Sequence, residues 1–157
     1  MTEIIVFTDG SCVNNGKSNA RAGCGIVWPN EEFPETSFKI PKDELQTNNR
    51  AEFLASILAM EQMMIIDPSC EKVLHIFTDS KLLINTATNW INGWKKNNWT
   101  KKSKGCIMNL DLVKRIDELI TTRTVKWTHV KAHSGNSDYN SHWNDVVDHL
   151  ARKASDG

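Results

Sequence analysis

Two aspartates occur in nearly the same context at distant points of the chain. Asp9 lies in VFTDGS and Asp79 lies in IFTDSK, and an apolar run of β-branched and aromatic residues precedes each of them. Such runs predict short strands, so both aspartates are expected just past the end of a strand. If the two strands are neighbours in one sheet, both carboxylates emerge at the same edge of that sheet.

Two further acids are candidates for the same edge. Glu52 lies in the first turn of a predicted long helix, and Asp148 lies on the polar side of the predicted last helix, one turn after Asn144. Carboxylates held close together raise one another's pKa, and a hard divalent cation relieves that repulsion. Mg²⁺ suits an oxygen-only cluster, and two such ions about 4 Å apart can activate a water and stabilise a leaving oxygen in phosphoryl displacement.

Each acid also has an ordinary structural interpretation. An aspartate at a strand end commonly caps a turn or a helix, Glu52 three residues after Asn49 resembles a capping pair, and Asp148 is compatible with a solvated surface. The residues alone therefore leave both interpretations open.

Apolar periodicity predicts the elements that would position these acids. Turns are predicted at Asp9-Gly10 and at Asn14-Asn15-Gly16, and Asp67-Pro68 predicts a helix end. The predicted strands are Ile4–Thr8, Gly23–Trp28, Thr36–Ile40, Lys72–Thr78 and Thr124–Val130. The predicted helices are Asn48 to about Ile66, Ser80–Asn89, Ile107–Thr121 and Trp143–Ala154. This order predicts an α/β fold, with a mixed five-stranded sheet flanked by helices in a single domain over residues 1–157.

Composition restricts the class of protein further. Hydrophobic residues make up 39% and charged residues 24% of the 157 residues, as in ordinary globular proteins. The cysteines form no CxxC pair, no apolar run is long enough to span a membrane, and the amino terminus lacks a basic leader. We therefore expect no membrane association and an intracellular location, cytoplasmic or nuclear.

The formal net charge of zero conceals a local excess of cations. Five lysines and no acid occur between Trp94 and Lys104. A cationic patch of this kind can attract a phosphate backbone, although the chain as a whole is neutral.

Four strings, in this order, resemble ribonuclease H of type 1: TDGS at Thr8–Ser11, TNNRAE at Thr47–Glu52, TDS at Thr78–Ser80 and HVKAHSG at His129–Gly135. The resemblance extends from about Ile4 to Ala154. It implies the ribonuclease H-like fold and an endonuclease that hydrolyses the RNA strand of RNA–DNA hybrids. The implied mechanism is two-metal-ion catalysis with Mg²⁺, for which Mn²⁺ is a possible substitute, leaving 5′-phosphate and 3′-hydroxyl ends.

The resemblance also implies roles for individual residues. The metal-binding catalytic carboxylates are Asp9, Glu52, Asp79 and Asp148. His133 matches a loop histidine that assists proton transfer or product departure. Contacts with the minor groove of the hybrid are implied for Asn15, Asn48 and Asn49. The lysine-rich segment Gly93–Gly105 resembles a basic protrusion whose Trp94, Lys95 and Lys96 contact the DNA strand, and Thr47, Trp94 and Asn109 match a phosphate pocket.

The chain departs from the family pattern in several places. Leu45 stands near where some relatives carry an arginine, Asn49 replaces a common glutamine, and the stretch between His133 and Asp148 is longer than expected, mainly through Ser137–His142. This long stretch keeps open a hybrid-binding module that has lost cleavage. A DNA-cleaving integrase or transposase relative fits the motifs less well. A monomer is the default, and the starting methionine favours a free-standing enzyme over a fragment of a reverse transcriptase.

Overall fold

A computed structural model describes residues 2–101, 106–132 and 138–157. The strands are β1 (Glu3–Val13), β2 (Arg21–Val27), β3 (Thr36–Lys39), β4 (Val73–Thr78) and β5 (Val125–His129). The helices are α1 (Asn48–Ile66), α2 (Lys81–Asn85), α3 (Ile91–Lys96), α4 (Leu110–Ile120) and α5 (Tyr139–Asp156), and a π-helical turn at Thr86–Trp90 joins α2 to α3.

The five strands form one mixed sheet in the order β3-β2-β1-β4-β5. β1 pairs antiparallel with β2 and β2 antiparallel with β3, whereas β1–β4 and β4–β5 are parallel. The predicted sheet and fold class are confirmed. Within the described ranges, no helix has the length and apolar character needed to cross a bilayer.

β1 is longer than predicted. The prediction that the strand ends at Asp9-Gly10 was wrong. The strand continues to Val13, and Gly10 pairs with Cys24 of β2. Gly10 allows a close helix contact rather than a turn. A Cβ at this position would lie 2.3 Å from the backbone nitrogen of Glu52, so only glycine lets α1 approach β1 this closely.

Helix α1 begins with a cap that differs from the predicted one. Thr47 is the N-cap residue, and its Oγ1 accepts a hydrogen bond from the backbone N–H of Arg50 at 3.1 Å. The proposed capping pair of Asn49 and Glu52 is therefore not formed, and Glu52 is left for another role. Asp67 follows the helix, as predicted, and its carboxylate pairs with Arg123 at 2.7 Å.

Apolar side chains pack on both faces of the sheet. On one face, α1 and α4 cover β1 and β4 through a large cluster that includes Val6, Phe53 and Ile116. On the other face, α5 packs against β1 and β2 through Phe7, Val27 and Val147 in a smaller cluster. The sheet is thus a rigid layer on which the ends of β1 and β4 are held in fixed relation.

Two helical segments differ from the predicted bounds. The predicted helix Ser80–Asn89 continues through the π-helical turn into α3, so the lysine-rich segment begins within a helix. Helix α5 begins at Tyr139 rather than Trp143, because the carboxylate of Asp138 accepts from the N–H of Ser141 at 2.8 Å and caps it. Much of the stretch that lengthens the chain before Asp148 is therefore an added first turn of α5.

Candidate active site

Three of the four predicted acids meet at one edge of the sheet. Ligand oxygens of Asp9, Glu52 and Asp79 all lie within 4.8 Å of one another. The parallel register, with Phe7 opposite Phe77, brings Asp9 and Asp79 level with each other two residues later. Asp9 belongs to β1 itself, whereas Asp79 follows the end of β4, so only the second aspartate lies past a strand as predicted.

Backbone contacts between β1 and α1 hold the third acid in place. The N–H of Gly10 donates a short hydrogen bond to Oε1 of Glu52, and it also points to Oδ1 of Asp9 at 2.9 Å. The close approach of α1 at Gly10 thus places the first helical turn, and Glu52 with it, beside the aspartates. Both Asp9 and Glu52 are almost fully buried.

The cluster is electrostatically unfavourable without a cation. Burial, followed by the charge of Asp79, raises the pKa of Asp9 well above its usual range. Burial also raises the pKa of Glu52, and the charges of Asp9 and Asp79 add to that effect. Carboxylates that repel one another at such short distances bind a hard divalent cation favourably, since its charge offsets both the repulsion and the burial. The donor set therefore fits a divalent metal ion.

Asp148 lines the same depression and interacts with Asp9, although it lies outside the compact group of three acids. The depression measures about 340 Å³ and is bordered by all four carboxylates. Oδ2 of Asp148 forms an ion pair with Nη2 of Arg152, one turn later on α5, at 2.8 Å. Asp148 thus borders the depression and is paired with Arg152 of the same helix.

Two of the predicted hybrid-contacting asparagines border this depression. Asn15 lies in the turn after β1, and its Oδ1 accepts from the backbone N–H of Asn48 at the start of α1, at 3.1 Å. This bond uses the carbonyl oxygen of Asn15 and leaves its amide N–H groups for other partners. The side chain of Asn48 makes no hydrogen bond to any described residue.

Three of the remaining predicted contact residues line a second depression of about 480 Å³. Asn49, Trp94 and Asn109 line it together with apolar side chains of α1, α2 and the segment before α4. Asn109 has a left-handed backbone, with φ 56°, and its Oδ1 accepts from Nη1 of Arg50 at 3.3 Å. Thr47 does not line this depression, and its hydroxyl oxygen caps α1 instead.

The two lysines of α3 are placed differently. Lys95 pairs with Asp117 of α4 at 3.2 Å. Lys96 lines a neighbouring surface depression with Trp94. Trp94 and Trp99 also pack partly against the large core cluster, so these tryptophans contribute to the core as well as to the surface. His133 lies outside the described residues.

Comparison with known proteins identifies the family. The RNase H family model matches residues 1–156. The chain belongs to the RNase H family. Ribonuclease H1 of Mus musculus is 36% identical to this RNase H chain over 152 residues, which are 97% of this chain and 50% of the mouse protein. Ribonuclease H of Clostridium botulinum strain Hall is 34% identical over 157 residues, covering 99% of this chain and 97% of the bacterial protein.

Solved RNase H structures share the architecture. The structure of LC11-RNase H1 in complex with an RNA/DNA hybrid superposes with a TM-score of 0.67 at 22% identity, covering 98% of this chain and 96% of that one. The agreement shows a common fold. This RNase H chain spans about half the length of the mouse relative and nearly the whole length of the bacterial one.

Two arginines beside the candidate site have partners that the sequence patterns did not predict. Arg152 pairs with Asp148, and the i,i+4 spacing of an acid before a base on one helix was the available signal. Arg50 lies inside the TNNRAE string and pairs with both oxygens of Asp111, at 3.0 and 2.7 Å, next to Asn109. Asp111 and Asn109 lie far from Arg50 along the chain, so no local pattern reveals these two partners.

Proposed function

We propose that the protein hydrolyses the RNA strand of RNA–DNA hybrids, leaving 5′-phosphate and 3′-hydroxyl ends. The observation that carries this proposal is the cluster of Asp9, Glu52 and Asp79 in one depression with the amide side chains of Asn15 and Asn48. Family membership supports the same activity. All four carboxylates come from one chain, which is consistent with a monomeric enzyme.

The carboxylates would hold the catalytic cations. Asp9, Glu52 and Asp79 would be the protein ligands, and Asp148 would join them from α5. Mg²⁺ is the proposed metal, with Mn²⁺ as a substitute, because every donor is an oxygen. When bound as a pair, such ions supply an activated water and charge stabilisation for the leaving 3′ oxygen. The chain's own contribution is to fix the spacing of these oxygens through β1, β4 and the Gly10 contact.

The asparagines would recognise the RNA strand. Free amide N–H groups of Asn15 and the whole amide of Asn48 border the carboxylates, where they can donate to and accept from a 2′-hydroxyl. The 2′-hydroxyl is the group by which a protein distinguishes RNA from DNA. Selection of the RNA strand therefore rests on sugar chemistry rather than base sequence.

The second depression would receive the DNA strand. Trp94 offers an aromatic face there, Asn49 and Asn109 offer amide groups, and Lys96 lies in the adjoining depression. Aromatic faces pack on sugars or bases, and lysines attract phosphates. The two depressions are both bordered by the first turn of α1, through Asn48 and Asn49, so the two strands of one duplex would lie on either side of that turn. His133 is proposed to assist proton transfer or product departure, as the motif implies.

The decisive experiment measures cleavage of an end-labelled RNA–DNA hybrid in Mg²⁺. Wild type is compared with Asp79→Asn and with Asp43→Asn, an exposed acid outside the depression. Single-stranded RNA, duplex RNA and duplex DNA serve as substrate controls. We expect hybrid-specific cleavage that Asp79→Asn abolishes and Asp43→Asn preserves.

A binding assay with the same hybrid tests the alternative of a non-catalytic hybrid-binding module. Tight hybrid binding by wild type with no products in either Mg²⁺ or Mn²⁺ would contradict the proposed hydrolase and establish that module. Hybrid cleavage together with equal cleavage of duplex DNA would contradict the proposed selectivity.

A further inference from the structure

A separate cleft of about 470 Å³ lies between α5 and the segment that joins β2 to β3. None of its residues borders the carboxylate depression. Its walls are largely aromatic and its other polar residues are all glutamates. The aromatic members are Trp28, Phe33 and Trp143, and the acidic members are Glu31, Glu32 and Glu35.

The glutamates of this cleft lack cationic partners in the described part of the chain. No lysine, arginine or histidine lines the cleft, and none of the three glutamates takes part in an ion pair there. Oε1 of Glu32 is buried and has no hydrogen-bond donor. A buried carboxylate oxygen normally has a donor, because losing water without a replacement costs free energy. Oε1 of Glu32 can therefore accept a hydrogen bond from a ligand, and a positively charged donor would suit it best.

The aromatic walls are held in fixed orientations. Trp28 is 2% exposed, and its Nε1 donates to Oε1 of Gln62 at 2.8 Å. Trp143 makes edge contacts with Tyr139 and His142, with ring centroids 6.4 and 4.8 Å apart. Trp28 therefore forms a fixed inner wall of the cleft, whereas the half-buried Trp143 leaves part of its ring accessible. A cation near such a face is attracted by the ring quadrupole, more strongly when it is partly removed from water.

Negative charge extends from the cleft along α5. Burial, and next the charge of Glu32, raises the pKa of Tyr139, so the influence of Glu32 reaches the first turn of the helix. Glu35 also borders a further depression of about 330 Å³, which is lined by Asp145 and by His142 and His149. This surface would repel a phosphate backbone, which separates it from the lysine-rich side of the molecule.

We propose that the cleft binds an arginine side chain from a basic segment of a partner protein. A guanidinium is planar, so it can stack on an indole while its N–H groups donate to a carboxylate at the edge of the stack. The aromatic walls of the cleft can contact the flat face of the guanidinium. Its N–H groups can donate to the buried oxygen of Glu32 and to the unpaired glutamates at the rim. The cleft is large enough to hold such a side chain, and Glu35 and Asp145 in the adjoining depression can pair with a neighbouring basic residue.

The test is a titration followed through the indole N–H resonances of Trp28 and Trp143 in ¹H–¹⁵N spectra. The probes are a hexapeptide of alternating glycine and arginine, the same peptide with citrulline in place of arginine, and acetyl-arginine-amide. We expect saturable shifts with the arginine peptide and at least about tenfold weaker binding of the citrulline peptide, which keeps the shape but loses the charge.

Two substitutions test the role of the glutamate. Glu32→Gln should weaken binding of the arginine peptide about fivefold or more, whereas Glu71→Gln, an exposed acid away from the cleft, should leave it unchanged. Hybrid cleavage and thermal unfolding by the same variants should match wild type, so a failure of this proposal is distinguishable from a failure of the proposed hydrolase.

Four outcomes would overturn the assignment. The first is the absence of saturable shifts, and the second is equal binding of the arginine and citrulline peptides. The third is an equal effect of the two glutamate substitutions. In the fourth, acetyl-arginine-amide would bind as tightly as the peptide, which would point to a free small cation instead of a protein segment.

Discussion

Arg152 holds Asp148 by an ion pair of 2.8 Å at the border of the carboxylate depression. The pair joins residues one turn apart on α5, and the arginine side chain is 60% exposed. The ion pair engages Oδ2 of Asp148, so the positive charge of Arg152 lies beside the carboxylate that is proposed to join a metal site. Arg152 would therefore compete with a cation for this carboxylate.

This competition predicts that Arg152→Met lowers the Mg²⁺ concentration needed for half-maximal hybrid cleavage by about two- to fivefold, the range expected for an exposed ion pair. Lys153→Met, which removes an exposed neighbouring charge, is the control. The measurement is a Mg²⁺ titration of initial rates at fixed ionic strength. An unchanged or higher Mg²⁺ requirement in Arg152→Met would show that the ion pair does not compete with the metal.

Gly10→Ala is expected to destabilise the protein by at least about 2 kcal/mol, because the new methyl group would overlap the α1 backbone at Ala51 and Glu52. Displacement of α1 would move Glu52, so hybrid cleavage should fall as well. Gly93→Ala is the matched control, since no atom lies within 4 Å of a Cβ there and alanine is favoured in a helix. Urea denaturation gives the free energy of unfolding for both variants, and equal values for Gly10→Ala and wild type would refute the close packing of α1 on β1.

The buried acids should destabilise the metal-free protein at neutral pH. Because the folded pKa of Asp9 lies above the unfolded value of about 4, its protonated form favours folding below that pH, and this contribution is lost as pH rises through the raised pKa. In EDTA at pH 7, Asp9→Asn should therefore raise Tm by about 3–6 °C.

The pH dependence supplies the control for this prediction. The gain in Tm from Asp9→Asn should shrink as pH falls toward about 4, and Mg²⁺ should stabilise wild type more than the variant. Asp43→Asn should change little at any pH. A gain that is equal at pH 4 and pH 7 would exclude charge repulsion as its cause.

A buried ion pair fastens the end of α1 to the segment before β5. Nη1 of Arg123 lies 2.7 Å from Oδ2 of Asp67, and Nη2 donates to the Asp67 carbonyl at 2.7 Å. Arg123→Met leaves the buried carboxylate without its charged partner and should lower Tm by roughly 6–12 °C. Arg115→Met removes two exposed pairs and should shift Tm by less than about 2 °C. Similar changes in Tm for the two variants, measured by differential scanning calorimetry, would contradict the claim that the buried ion pair stabilises the fold more than the exposed pairs.

The convergence of Asp9 and Asp79 could be predicted because an apolar run that predicts a strand precedes each of them, and neighbouring parallel strands end at the same edge of a sheet. The full length of β1 could not be predicted, because Gly10 resembles a turn residue until α1 is seen to pack against it. The earlier start of α5 was missed for a similar reason. Its cap, Asp138, lies in a polar stretch without the apolar periodicity that marks helices.

Long-range polar partners were also beyond the reach of sequence patterns. Arg50 is held by Glu44 and Asp111, and the Asn15 oxygen is used by the Asn48 backbone. These contacts depend on how a hairpin, a helix start and a later helix come together in space. Sequence reasoning identified residue types suited to bind a substrate, but not which of their atoms are already engaged.

The different extents of strand pairing along β1 locate the carboxylate depression. β1 pairs with β4 from Glu3 to Phe7 and with β2 from Phe7 to Val13, so beyond Phe7 only β2 remains beside it. Beyond Phe7, the side of β1 that pairs with β4 has no strand beside it. This gap leaves room for the carboxylates and for the proposed cations. Extending β4 by two residues that pair with β1 would fill this gap and remove the carboxylate depression while leaving the hydrophobic core intact.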